Sequence, residues 1–270
     1  MIIDTHVHIG TMLNFDMREE HITYMMKKYS IDHCIVSNSE CATHDHFQNP
    51  IPKEYVKSHV DTNLRAIEFA RKNKGKITVA LWVNPYEDVK TIEPLIQSNR
   101  DIVKAIKFHP FHSKLRFDSE EIQSYIRLAQ KHHLPVVTHT GDTECDDVKL
   151  VYNMAQKYPD VNFVMVHMGL GTDNKEAIDL ISKLPNLYGD TTWVSIDSAL
   201  RFLEICGEDK LLFGSDAPID GKDTYLDNGK GDRSLYQAYF NEFRDMVSEQ
   251  TYDKIMYKNA SRLFDIKVNK

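Results

Sequence analysis

Cysteine is scarce in this chain: Cys34, Cys41, Cys145 and Cys206 are scattered over 270 residues, with no Cys-x-x-Cys spacing. That argues against a disulfide framework and for free thiols in a reducing cytoplasm. Long apolar runs are also missing. The stretch Asn162-Phe163-Val164-Met165-Val166-His167-Met168 is far too short to span a bilayer. No block of basic residues stands out, and 33 basic against 40 acidic residues give a net charge of −7. Nucleic acid and anionic membrane are therefore not expected as main partners. No Pro/Gly/Ser-rich linker, low-complexity tract or visible repeat divides the chain, so residues 1–270 read as a single domain. No leader-like segment precedes the first apolar run, and a cytoplasmic protein is the expectation.

What the chain does have is alternation. Short apolar, β-branched runs fall at Met1–His8, Ile31–Ser37, Ile77–Val83, Val103–Phe108, Leu134–His139, Val161–His167, Leu187–Thr192 and Leu211–Gly214. Near-continuous apolar runs suit strands buried on both faces of a parallel sheet. Between them, helical spacing predicts helices over Asp16–Tyr29, Lys53–Asn73, Asp88–Ser98, Asp118–His133, Asp146–Tyr158, Asn174–Leu184, Ser195–Cys206 and Ser234–Ser248. A last helix is expected over Thr251–Phe264. Eight strands alternating with eight helices is the count of an α/β (β/α)8 TIM barrel. An open doubly wound sheet competes. Its best support, Met168-Gly169-Leu170-Gly171, is half of a dinucleotide fingerprint, with Asn174 where the third glycine belongs.

The ends of the apolar runs carry the chemistry. His6 and His8 close the first run, two residues apart, so a strand points both to one side. His109 follows the fourth run, His139 ends the fifth, His167 ends the sixth, and Asp216 lies just past the eighth. In a barrel these ends form one rim, where active sites sit. Each residue alone could be a polar strand cap. Several at one topological depth read better as ligands for Zn²⁺, Mn²⁺ or a related ion.

The ordered set resembles the metal-dependent amidohydrolase superfamily, in its compact branch of hydrolases and nonoxidative decarboxylases. The marks are Asp4-Thr5-His6-Val7-His8, Ile106-Lys107-Phe108-His109-Pro110, Val137-Thr138-His139-Thr140-Gly141, Val166-His167-Met168-Gly169 and Leu212-Phe213-Gly214-Ser215-Asp216-Ala217-Pro218. The closing Lys258-Asn259-Ala260-Ser261-Arg262-Leu263-Phe264 also looks like that family's last helix. The resemblance implies that His6, His8, His139 and Asp216 hold a divalent metal, most simply one Zn²⁺. It makes His167 a further ligand or the group that orients water, and Asp216 a proton acceptor as well as a ligand. Lys107 would enter as a carbamate bridging two ions in the other type of site. The implied reaction is hydrolysis of an amide, lactone or similar carbonyl of a small molecule. Its rival on the same fold is metal-dependent decarboxylation or hydration of a small carboxylated substrate. A non-catalytic metal-binding protein and a dinucleotide-dependent oxidoreductase are the remaining alternatives. A homodimer is common among similar proteins.

Weaker assignments concern the loops. His109 and Arg116, near His112 and Lys114, are candidates for binding a substrate carboxylate. Trp82 and Trp193 are candidates for the pocket wall, although large aromatics near a rim more often pack. His44, Asp45 and His46 read as a surface loop before a metal cluster. The loop Ala217–Arg233 is long enough to be a lid or a specificity loop, and its acidic residues match no calcium-loop spacing.

Overall fold

Nine strands form one curled sheet in the computed structural model, which describes residues 1–12 and 15–267. In chain order they are β1 (Ile3–Met12), β2 (Phe15–Met17), β3 (His33–Asn38), β4 (Ile77–Trp82), β5 (Val103–Phe108), β6 (Val136–His139), β7 (Phe163–Val166), β8 (Leu187–Asp190) and β9 (Leu211–Leu212). The spatial order β2-β1-β3-β4-β5-β6-β7-β8-β9 is parallel throughout, except that β2 folds back antiparallel on the end of β1. The helices that separate the parallel strands fill the crossovers such pairing requires. Beyond β9 the chain runs beside β1. Thr5 N donates to Phe213 O (3.0 Å), Asp216 N to His6 O (2.9 Å) and His8 N to Ala217 O (2.7 Å).

Two apolar layers sandwich the sheet. Inside the curl, Ile3, Ile35, Ala80, Ala105, Val137, Val164 and Leu212 pack together, joined at one end by Ala260, Phe264 and Ile266 from the last helix and the turn after it. The larger cluster lies between the strands and the helices and includes Ile22, Met25, Ile67, Ile126 and Phe202. Strands covered on both sides bury nearly every residue, which explains their continuous apolar composition.

All eight predicted strand runs are strands, with the ends moved by a few residues. β1 runs on to Met12 to make the hairpin with β2, which takes Asp16 and Met17 out of the expected first helix. That helix is Glu19–Lys28 and buries Ile22, Met25 and Met26. The second predicted helix starts only at His59, where the Ser58 side chain caps it by accepting from Asp61 N. Its buried face includes Thr62, Asn63, Ala66, Ile67 and Ala70, whereas Leu64 is exposed. Asp88–Ser98 divides into a 3-10 turn and a short helix at Glu93–Ser98 with Pro94 in its first turn. Ser234–Ser248 breaks at Asn241, whose φ of −113° and ψ of −84° are not helical. Thr251–Phe264 is interrupted by a π-helical turn over Lys254–Lys258. Among the described residues, no helix is long and apolar enough to cross a membrane.

Candidate metal centre

Period two in the strands connects the inner core to the site. Ile35, Ala80, Ala105 and Val137 belong to the inner apolar layer, and two residues further along the same faces stand Ser37, Trp82, Lys107 and His139. Where the strands end, backbone turns aim the last side chains. His167, Trp193 and Asp216 adopt left-handed conformations (φ 66°, 58° and 62°), which non-glycine residues take sparingly and mostly where the surroundings enforce it. One such enforcement is visible: His167 N donates to Asp190 Oδ1 (2.9 Å), and Asn174 Nδ2 donates to His167 O (3.0 Å).

The centre is a cluster of His6, His8 and Asp216. His6 Nε2 lies 2.9 Å from His8 Nε2, and Asp216 Oδ1 lies 3.3 Å and 2.9 Å from those nitrogens. Lys107 Nζ stands 3.2 Å from His6 Nε2. The far edges of the rings explain this convergence. His6 Nδ1 faces Thr192 Oγ1 (3.2 Å) and the buried Asp190 carboxylate (3.5 Å), so its proton belongs there and Nε2 carries a lone pair. His8 Nδ1 faces Ser37 Oγ at 3.2 Å. Trp193 Nε1 donates to Asp216 Oδ2 (3.0 Å), which leaves Oδ1 to the cluster. A Cβ on Gly214 would come within 2.6 Å of Thr192 Oγ1 and 2.8 Å of Asp190 Oδ2, so only glycine lets this support approach His6.

The electrostatics favour a cation. Burial, then the neighbouring Lys107 charge, pushes His6 well below the usual histidine range, keeping it neutral. Burial alone would raise Asp216, but the imidazoles of His6 and His8 outweigh it and hold the carboxyl well below its ordinary value. Burial lowers the Lys107 ammonium to about 8. Two ring nitrogens and a carboxylate oxygen thus converge within 3.3 Å of one another. This donor set fits a divalent metal ion.

Around the centre six rings form a closed circuit. Centroid separations are 4.8 Å for His6–His8, 5.4 Å for His8–Trp82 and 5.1 Å for Trp82–His109. They continue at 4.0 Å for His109–His139, 4.8 Å for His139–His167 and 5.4 Å for His167–His6. Trp82, His109 and His139 are stacked within 17° and 15° of parallel. Burial, then the neighbouring imidazoles, holds His109 and His167 well below the ordinary histidine value, and burial lowers His112 to about 4. A cavity of about 280 Å³ opens above this floor, bounded by Phe15, Met17, Phe111, Leu170 and Ile219.

His139 lines the cavity but stands apart from the three-residue cluster, its Nε2 facing Asp146 Oδ2 at 3.3 Å. Asp146 lies over Gly141, where a Cβ would approach Oδ2 to 2.9 Å. His167 also lines the cavity, and its Nδ1 meets Thr192 O at 3.2 Å, which makes Nδ1 the protonated nitrogen. His109 is in the wall. Arg116 is not: it is exposed and paired with Asp118 at 2.9 Å, since a carboxylate two residues away offers a bidentate partner. Trp193 supports Asp216 rather than lining the cavity. Of the loop histidines, His46 reaches the cavity and His44 offers its backbone oxygen to His112 Nδ1 (2.9 Å). Gly169 and Gly171 form a turn on Thr140, which accepts from Leu170 N (2.9 Å). The loop 217–233 is tied down at its middle, with Tyr225 OH donating to Asp4 Oδ2 (2.7 Å) and Asp223 paired with Lys28 (2.6 Å). Asp190 and Asp146 escaped sequence reasoning. Asp190 ends an apolar run as the other site residues do, and that signal could have found it.

A sequence model of the family described as Amidohydrolase matches residues 3–266. The chain belongs to the amidohydrolase family. No curated protein matches it by sequence. Solved structures share the fold at low identity. The protein named probable 2-pyrone-4,6-dicarboxylic acid hydrolase from Acinetobacter baumannii, with citric acid bound, is 12% identical, with a TM-score of 0.68 over 98% of this chain and 99% of that one. The 2,6-dihydroxybenzoate decarboxylase from Rhizobium is 14% identical, with a TM-score of 0.67 over 98% of each chain. The 5-carboxyvanillate decarboxylase from Sphingomonas paucimobilis is 12% identical, with a TM-score of 0.67 over 98% and 99%. The amidohydrolase family is metal-dependent, and the His6–His8–Asp216 cluster is where this member can hold an ion.

Proposed function

We propose that this amidohydrolase is a metal-dependent hydrolase of a small amide, lactone or similar carbonyl compound, built on a closed (β/α)8 barrel. The backbone hydrogen bonds between β1 and residues 213–217 support the closure. The observation that carries the reading is the convergence of His6 Nε2, His8 Nε2 and Asp216 Oδ1 on one point, with both rings buried and the carboxylate half-buried. These three hold the ion, most simply one Zn²⁺, with His139 completing the set. A second ion would bring in Lys107 as a carbamate. When bound, a divalent ion polarises a substrate carbonyl and lowers the pKa of water.

The protein's own groups do the rest. Asp216 accepts a proton at Oδ2, the oxygen shared with Trp193, and passes it to the leaving group. His167, with Nδ1 protonated toward Thr192 O, offers Nε2 to an incoming hydroxyl. Asp190 and Thr192 fix the ring of His6. The apolar rim of Phe15, Met17 and Ile219 limits water. The four thiols are free, in keeping with a cytoplasmic site of action.

Decarboxylation is the second reading, favoured by the two decarboxylases of equal structural likeness. Zinc-loaded protein screened in parallel for lactone and amide cleavage and for carbon dioxide release separates the two. Cleavage without gas release, abolished in Asp216→Asn, supports the hydrolase. Carbon dioxide release alone overturns it.

A further inference from the structure

The cavity walls differ in charge from what carboxylated substrates require. Resting on the metal-site reading above, we propose that the substrate is a planar cyclic compound, uncharged except for at most one acidic group at the metal end. Its body is read by aromatic and aliphatic walls and by a single hydroxyl. Three observations carry this.

First, no arginine or lysine is among the described residues that bound the cavity. The rim cations that could have reached in do not: Arg116 is held by Asp118, and Lys114 is exposed past the turn at Phe111–Ser113. The nearest ammonium, Lys107, is buried at the floor beside His6, where it can serve only a group at the metal end. A carboxylate further out would lose its water without gaining a cation.

Second, the walls suit a flat, apolar body. Trp82, His109 and His139, stacked on one another, line it as aromatic groups. Phe15, Met17 and Ile219 face the cavity as apolar groups, and Met17 and Trp82 share one small apolar cluster with the other two packed against it. Ring faces and aliphatic walls gain most from a planar partner.

Third, Ser39 bounds the same cavity, is almost fully buried, and its hydroxyl has no hydrogen-bond partner in the protein. A buried hydroxyl without a partner is costly. One neutral oxygen on the ring would satisfy it.

The test measures binding, not turnover. Zinc-loaded protein, with its metal content measured on the same sample, is titrated with 2-pyrone, a 2-pyrone monocarboxylate and 2-pyrone-4,6-dicarboxylate, following tryptophan fluorescence and heat. The expected order is neutral or monocarboxylate tightest, with the dicarboxylate at least about tenfold weaker. Phe15→Arg, or Ile219→Arg should the first variant fold poorly, is expected to tighten the dicarboxylate about tenfold or more, with metal content unchanged. Ser39→Ala is expected to weaken a hydroxylated ring and leave its deoxy analogue unaffected. Dicarboxylate binding as tight as the neutral ring, in protein that holds its zinc, would overturn this inference while leaving the metal-site reading intact. Failure to load zinc would instead strike at that reading itself.

Discussion

Two sets of buried histidines sit at comparable depth and behave in opposite ways. Away from the cavity, each ring has both nitrogens answered. His33 meets Gly75 O (3.3 Å) and Thr78 Oγ1 (2.9 Å), His59 meets Thr91 Oγ1 (2.7 Å) and Asn84 N (3.4 Å), and His132 meets Glu93 (2.8 Å) and Arg100 (3.2 Å). At the cavity floor one nitrogen of His6 and of His8 is answered by the fold, while the other is directed at another site residue. His6 and His8 present Nε2 to each other and to Asp216. A satisfied buried histidine contributes to stability. Converging lone pairs cost stability and are kept for what they bind.

The comparison can be broken most sharply at Asp216. Replacing it with Asn keeps the shape but removes charge and proton acceptor, and turnover should fall by about a thousandfold with little change in melting temperature. A variant that keeps most of its activity would take Asp216 out of the chemistry. On the structural side, burial holds His33 at about 4. The unfolded ring takes up a proton near pH 6.5 but the folded one resists until about 4, so unfolding is favoured as pH falls through that window. Stability should be complete above about pH 6.5 and decline by on the order of 2–3 kcal/mol toward pH 4. His33→Gln should flatten that slope in urea titrations. His59→Ala should cost about 2 kcal/mol of stability, by stranding Asn84 N and Thr91, while folded protein keeps its metal and turnover. Smallest is Trp193→Phe, which frees Asp216 Oδ2. Turnover should drop about tenfold and its pH profile should move, with metal retained. An unmoved profile would make Trp193 mere packing.

Much of this was legible in the residues. Buried parallel strands announce themselves by continuous apolar runs, and a polar residue that ends such a run stands out, as His6, His8, His139, His167 and Asp216 do. What stayed hidden depends on contacts made by loops. Arg116 looked like a substrate cation, but Asp118 two residues on captures it. Asp146 meets His139 only because Gly141 leaves room. The hairpin β1–β2 disguised itself as a helix start, because Met17 shares the apolar spacing of Ile22 and Met25 yet serves the cavity wall. Local patterning sets the strands, whereas the walls of the site are set by what the fold brings alongside.

The central claim is that His6, His8 and Asp216 hold a divalent ion. Elemental analysis of protein reconstituted with Zn²⁺, for wild type and a His6→Ala, His8→Ala double variant of matched helicity, tests it most directly. The account predicts zinc bound to wild type, most simply one ion per chain, and none in the double variant. Wild type that stays metal-free after reconstitution, or a double variant that retains its full complement, would contradict it.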